Sequence, residues 1–374
     1  MSDIRVLSIV PYKVLPARLG GEKGIAIFNE YFARELSLLA IGVKANDISA
    51  AKNYRFLNVL PDGRSRYGNI FLYFRVRRYL KENNCNYLLI EHPYFGWLAW
   101  LIKITTPVIW VVHSHNIEFE RSKSIGRKWW PLLKWYERWV YKKSDVNFYI
   151  SDDDRNYAID KLGISSNKAH TITYGVEVGS MPSDIDSCKQ KVRERYHISQ
   201  EEKILLFNGS LAVISNYEAV DIILEHINPQ LLASGLKYKI IICGKGLPER
   251  FNELKSYSDK NIIYAGFVDD VSEYFKSADI FLNPIISGAG IKTKAVEAIA
   301  YNCTVVSTEL GALGMVRDVC GEKLDVVPDA DWIAFAKSTI NKINSYSTTS
   351  DSFYNYYYWG SIAKKAADIL KQVK

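Results

Sequence analysis

Short apolar runs of strand length recur along this chain with helical patterns between them: IRVLSIV, NYLLIEH, VIWVVHS and VNFYIS, then KILLFNGS, YKIIICG, NIIYAGF, DIFLNPI and CTVVSTE. Strands that alternate with helices build parallel sheets covered by helices on both faces, so the expected fold class is α/β. At 374 residues the chain exceeds one small domain, and at ~150 residues per domain it suggests two. The segment 175–190, GVEVGSMPSDIDSCKQ, is poor in large apolar residues and rich in Gly, Ser, Pro and Asp. It reads as a linker between two Rossmann-like halves, 1–178 and 179–353, with a tail over 354–374 that ends in an amphipathic helix.

Open α/β sheets bind ligands at the carboxyl ends of their strands, which directs attention to the turns there. The stretch DIFLNPIISGAGIKTKAVEAIA is the most informative. A buried strand leads into Ser287, Gly288, Ala289 and Gly290, and a helix is expected from about Ile291 with Lys292 and Lys294 in its first turn. Cations are misplaced at a helix N-terminus, whose dipole favours anions. They fit if a phosphate or diphosphate sits on the free backbone N–H groups and draws them in. Glu297, one turn on, could accept from ribose hydroxyls. The alternative is a surface helix with solvated lysines and a Lys294–Glu297 ion pair.

This stretch resembles the donor motif of glycosyltransferase family four, specifically the subgroup reading G-S-G-x-R/K-x-K-x-x-E-A, here GAGIKTKAVEA, with GALG after the next strand. SHNIEFERSKSIGRKWW and YISDDDRNYAIDKLGI followed by TYGVE are similar to further segments of that family in matching order. The resemblance implies the GT-B fold, two Rossmann-like domains facing across a cleft, with the C-terminal helix around residues 359–374 crossing back to the first domain. It also implies sugar transfer from a nucleoside diphosphate sugar to a hydroxyl of a glycan or lipid-linked glycan, with retention of configuration. No metal or other cofactor is implied. The usual setting of such sequences is bacterial surface polysaccharide assembly, which places the protein in the cytoplasm or peripherally on the inner face of the membrane. A nucleotide-sugar epimerase of the same fold and a non-catalytic, transferase-like binding subunit remain as alternatives.

Carried over by position, the resemblance makes Lys292 and Lys294 the groups that neutralise the leaving diphosphate. Gly288, Ala289, Gly290, Ile291 and Thr293 would line the donor, and Glu297 would hold the ribose. The first Glu of the family's motif is replaced by Ala289. Gly20 and Gly21, ending the loop after the first strand ahead of a helix over 24–39, match a glycine loop laid against the diphosphate. Gly209, Lys245 and Val268 lie at strand ends expected to border the nucleotide. A basic pair that many relatives carry after the first strand of the C-terminal domain has no counterpart in FNGSLAVISNYEA. The side chains of His113 and His115, at the end of one strand, are expected to point to opposite faces, with at most one toward the cleft. The family pattern selects His115 as the residue near the reacting sugar, and His92 is a weaker candidate.

The net charge of +7 is uneven. The stretch 121–143 holds eight basic residues, the single acid Glu137, and four of the nine Trp. On a helix with Pro131 in its first turn, Leu132, Trp135, Tyr136, Trp139 and Val140 form one stripe and Lys134, Arg138 and Lys142 another. The stripe packs a core or, with Arg127, Lys128, Trp129 and Trp130 ahead of it, meets an anionic membrane carrying the acceptor. The resemblance argues against nucleic acid as the partner. The five cysteines form no Cys-x-x-Cys pair, which disfavours a disulfide framework or zinc ribbon. No secretory leader is expected, and no apolar run reaches the ~20 residues of a spanning helix.

Overall fold

The computed structural model describes residues 4–17, 20–288, 290–344 and 347–373. The expected donor contact Ala289 lies outside the described residues. The chain divides into two units, Met1–Gly175 with Trp359–Lys374, and Val176–Tyr358.

Unit 1 carries strands β1 (Arg5–Ile9), β2 (Ser37–Val43), β3 (Arg55–Leu60), β4 (Tyr87–Glu91), β5 (Ile109–Ser114), β6 (Val146–Tyr149) and β7 (Ala169–Thr171) in one sheet, ordered β3-β2-β1-β4-β5-β6-β7. Every adjacent pair is parallel. The central strands bury nearly every side chain, as in β4, YLLIE, where all are buried. That is the requirement for a sheet covered on both faces. Unit 2 repeats the plan with β8 (Lys203–Asn208), β9 (Tyr238–Cys243), β10 (Ile262–Gly266), β11 (Ile280–Asn283), β12 (Thr304–Thr308) and β13 (Leu324–Val327), ordered β10-β9-β8-β11-β12-β13 and again all parallel. The strand order reverses between β1 and β4 and between β8 and β11, so each unit has a switch point where loops diverge and a ligand can enter.

Several expected boundaries move. Gly20 and Gly21 are not loop residues: they open the helix Gly20–Glu35, which stops well short of residue 39 because β2 begins at Ser37. No Gly or Pro separates helix from strand there, so the apolar run SLLAIGV merges with the helical pattern in the sequence. The short strands β3, β7 and β13 are likewise additional to the apolar runs of the sequence. The second half of the expected linker is the helix Ile185–Tyr196.

The first unit ends at residue 175, three residues earlier than expected, and the tail divides at Tyr358 rather than at 354. The helix Asp351–Tyr357 belongs to unit 2, where the Tyr357 hydroxyl accepts from Val316 N at 2.9 Å and Tyr354 donates to Ala300 O at 2.9 Å. Only the helix Trp359–Gln372 returns to unit 1, with the Trp359 ring 5.2 Å from Tyr174 and the Leu370 carbonyl accepting from Tyr87 at 2.8 Å.

Candidate functional site

In unit 2 the loops after β8 and β9 press backbone against backbone. Gly209 N donates to Cys243 O (3.1 Å) and Leu211 N to Lys245 O (2.9 Å). Gly244 has φ +145°, and a Cβ there would stand 1.9 Å from Gly209 O, so only glycine fits. Facing these loops is the turn after β11, where Gly288 and Gly290 take φ values of +94° and +72°. The following helix, Thr293–Ala300, starts two residues later than expected, with Lys292 at its cap position making no side-chain capping bond.

Lys294 is therefore not a solvated surface lysine. Its ammonium reaches the end of β8, 3.2 Å from Asn208 O and 2.9 Å from Asn216 Oδ1, and stands 4.3 Å from the centre of the Phe207 ring. Among the described residues it bonds only neutral oxygens and makes no ion pair. Burial, reinforced by the nearby Lys292 charge, pushes its pKa down to about 7. Lys292 donates to Gly290 O at 2.9 Å and is pushed down to about 8 by burial. Two ammonium groups held near one helix start at a cost in hydration form a site that gains by receiving an anion.

Glu297 is half-buried on the same helix, as are Ile291 and Thr293 at its start. Lys245 lies on the exposed rim with its ammonium 5.9 Å from the ring centre of the exposed Phe267, and Val268 packs against the core. Two residues here were not singled out in the sequence. Asn216 holds Lys294, and Glu218 accepts from Ser287 Oγ at 2.7 Å, anchoring the glycine turn.

In unit 1 His113 and His115 do not diverge, because residues two apart along a strand lie on the same face of the sheet, so opposite faces were the wrong expectation from their spacing. His113 lies in β5, which ends at Ser114, His115 follows directly, and the two rings lie 4.2 Å apart. Both meet Glu91, the last residue of β4: Oε2 is 2.7 Å from His115 Nε2 and 3.0 Å from His113 Nδ1. Glu91 has no exposure. Burial alone would raise its pKa, but the two imidazoles hold it down at about 2. The His115 pKa is lowered by burial and by His113. The donor atoms of Glu91, His113 and His115 lie within 4.8 Å of one another, the one set among the described residues with the spacing of metal ligands.

His92 is a buttress rather than a contact residue. It has φ +67°, its Nδ1 lies 3.1 Å from Glu118 Oε1, its Nε2 lies 2.9 Å from Tyr12 OH, and Tyr94 stacks on its ring at 5.2 Å. Glu118 in turn opens the helix Glu118–Ser124, whose first N–H groups, on Glu118 and Phe119, donate to Glu137 at 3.0 Å each. The single acid of the basic stretch is thus an internal helix anchor, raised to about 7 by burial. The start of the helix Gly20–Glu35 faces this group. A Cβ on Gly21 would be 3.9 Å from Tyr12 OH, and one on Gly24 3.9 Å from His115 Nδ1.

The helix Trp130–Lys143 buries Glu137, Val140 and Tyr141, so the expected apolar stripe splits. Tyr136 and Trp139 are half-buried, while Leu132 and Trp135 are 73% and 70% exposed. Trp130 packs beside Phe119, and Arg127, Lys128 and Trp129 are exposed. A second basic and aromatic surface, absent from the sequence reading, lies around the helix Leu72–Glu82: Phe71 and Phe74 are exposed beside Arg75, Arg77 and Arg78. No described helix is long and apolar enough to cross a membrane.

Two family models match the chain in succession: Glycosyltransferase Family 4 over residues 44–179 and Glycosyl transferases group 1 over residues 202–344. An uncharacterized 44.6 kDa protein in the cps region of Klebsiella pneumoniae is 24% identical over 87% of this chain and 79% of its own length. A phosphatidyl-myo-inositol mannosyltransferase of Mycobacterium leprae is 24% identical over 71% of this chain and 66% of its own length. Among solved structures, Anabaena Alr3699/HepE in complex with UDP superposes with a TM-score of 0.72 at 12% identity, covering 98% of this chain and 100% of that one.

Proposed function

Because the chain is a family-four-like glycosyltransferase of the GT-B fold, we propose that it moves a sugar from a nucleoside diphosphate sugar to a hydroxyl of a glycan or lipid-linked glycan, with retention of configuration, in bacterial surface polysaccharide assembly. The observation that carries this reading is Lys294, an ammonium bonded to neutral oxygens and pushed down to about 7 beside Lys292 at a helix start.

Negative charge gathers on the diphosphate as the bond to the sugar breaks, and preorganised cations at that point stabilise the transition state more than the ground state. Lys292 and Lys294 take the role that a divalent cation plays in other transferases, so no metal cofactor is assigned. In unit 1, His115 meets the transferred sugar. The UDP in the Anabaena structure makes uracil the first base to test, and the cps region of the Klebsiella relative supports the polysaccharide setting. The exposed Arg127, Lys128, Trp129, Leu132 and Trp135 suit the interface of an anionic membrane bearing the acceptor. The protein then works on the cytoplasmic side as a peripheral enzyme.

The test is thermal unfolding with a panel of UDP-, GDP- and ADP-sugars. A ligand at 100 times its Kd stabilises by about 2.7 kcal/mol. At least one sugar nucleotide should raise the melting temperature, and Lys294→Ala should abolish the rise. A panel that stabilises nothing overturns the reading.

A further inference from the structure

We propose that Glu91 is a positioning residue that fixes the tautomer of His115, leaving Nδ1 as a hydrogen-bond acceptor for a sugar hydroxyl. The proposal deepens the role given to His115 above and rests on that reading for the identity of the ligand.

Glu91 Oε2 lies 2.7 Å from His115 Nε2. An ionised carboxylate only accepts, so Nε2 carries the hydrogen, and a neutral imidazole then has a bare lone pair on Nδ1. The ionised carboxylate and the neutral ring both agree with the directions of the pKa shifts at Glu91 and His115. Among the described residues Nδ1 has no hydrogen-bond partner, and the His115 side chain keeps 10% exposure. Gly24 leaves the space next to Nδ1 open: a Cβ there would be 3.9 Å from Nδ1 and 3.7 Å from the Tyr174 ring, filling that space.

The neighbouring histidines show the contrast. His92 has both nitrogens occupied, by Glu118 and by Tyr12, in the opposite tautomer with hydrogen on Nδ1. His113 is 2% exposed and packs its ring 4.7 Å from Phe28. Of the three, His115 alone keeps a nitrogen available to a ligand. A lone pair there accepts from a hydroxyl and repels a phosphate or carbonyl oxygen, so the group that it reads is a sugar O–H. The carboxylate costs no reorganisation when the sugar arrives, because Glu91 is already buried and bonded.

Two-bond 1H–15N correlation spectra of the full chain, labelled with 15N-histidine and recorded at pH 7.5, read each tautomer directly. Peaks of His92 and His115 are assigned by single His→Asn replacements. Wild-type protein should show His115 with hydrogen on Nε2 and His92 with hydrogen on Nδ1. In Glu91→Gln the amide can donate as well as accept, so His115 should lose its single tautomer while His92 stays unchanged, which also certifies the fold of the variant. Glu91→Asp, with its carboxylate drawn back, should give the same loss if the Gln variant does not fold. Hydrogen on His115 Nδ1 in the wild type, or an unchanged His115 in the folded variant, overturns the proposal. So does equimolar Zn2+ shifting His113 and His115 together, since Glu91 would then be a metal ligand. These spectra need no sugar nucleotide, so their failure and the failure of the ligand-panel melts are separate results.

Discussion

Lys294→Met is expected to stabilise the ligand-free protein while destroying its affinity for nucleoside diphosphates. The ammonium is held down from 10.5 to about 7. At about 1.4 kcal/mol per tenfold change in proton affinity, that corresponds to a penalty of roughly 5 kcal/mol on the charged form, cut to roughly 3 kcal/mol by water at a half-buried group. Methionine keeps the stem but leaves Asn208 O and Asn216 Oδ1 without their cation, costing about 1–2 kcal/mol. The net gain is about 1–2 kcal/mol, or roughly 3–6 °C for a unit of this size.

The pH dependence is the sharper signature. Between about 7 and 10.5 the unfolded chain still carries the Lys294 proton that the folded chain has released. Wild-type stability therefore rises with pH across that window. The advantage of Lys294→Met should be full below pH 7 and fade toward pH 10. Urea unfolding of both proteins at pH 6.5 and pH 9.5 measures it, and titration with UDP measures the loss of binding. A variant less stable than wild type at pH 6.5, or one that binds UDP as well, would refute the argument that this lysine is held at a cost for an anion.

Binding of UDP should itself weaken as pH rises from 7.5 to 9, because the anion must restore protons to Lys292 and Lys294, which are lowered to about 8 and about 7; calorimetry in two buffers should show proton uptake, and proton release would contradict it. Arg127→Gln with Lys128→Gln should cut partitioning onto phosphatidylglycerol vesicles about tenfold or more, at ~1 kcal/mol per charge, and leave phosphatidylcholine unaffected; equal partitioning of variant and wild type would remove this segment from any membrane role. Gly244→Ala should destabilise by more than about 2 kcal/mol, since its Cβ would stand 1.9 Å from Gly209 O at φ +145°, and a variant that unfolds at the wild-type urea midpoint would count against the close approach of these two loops.

The architecture was legible where punctuation and burial coincide. β1, β4 and β5 and the strands from β8 to β12 are apolar runs closed by polar or glycine turns, and the parallel sheets follow from their spacing. β2 was hidden because only Leu36 separates the preceding helix from Ser37, so a period of 3.6 passes into a buried strand without a break. In the site, the lysines were legible because charge at a helix start is anomalous by itself. Asn216 and Glu218 were not, since a neutral amide and one carboxylate on a separate helix carry no local anomaly until the fold brings them to Lys294 and Ser287.

The pairing of His113 with His115 was legible in their spacing, since residues two apart along a strand share a face. What the spacing does not show is their shared partner, because Glu91 belongs to another strand, β4. The parallel register of β4 and β5 places Glu91 opposite His113 and offers a buried carboxylate to both rings. That carboxylate could not remain ionised there alone, so the two imidazoles and Glu91 are mutually required.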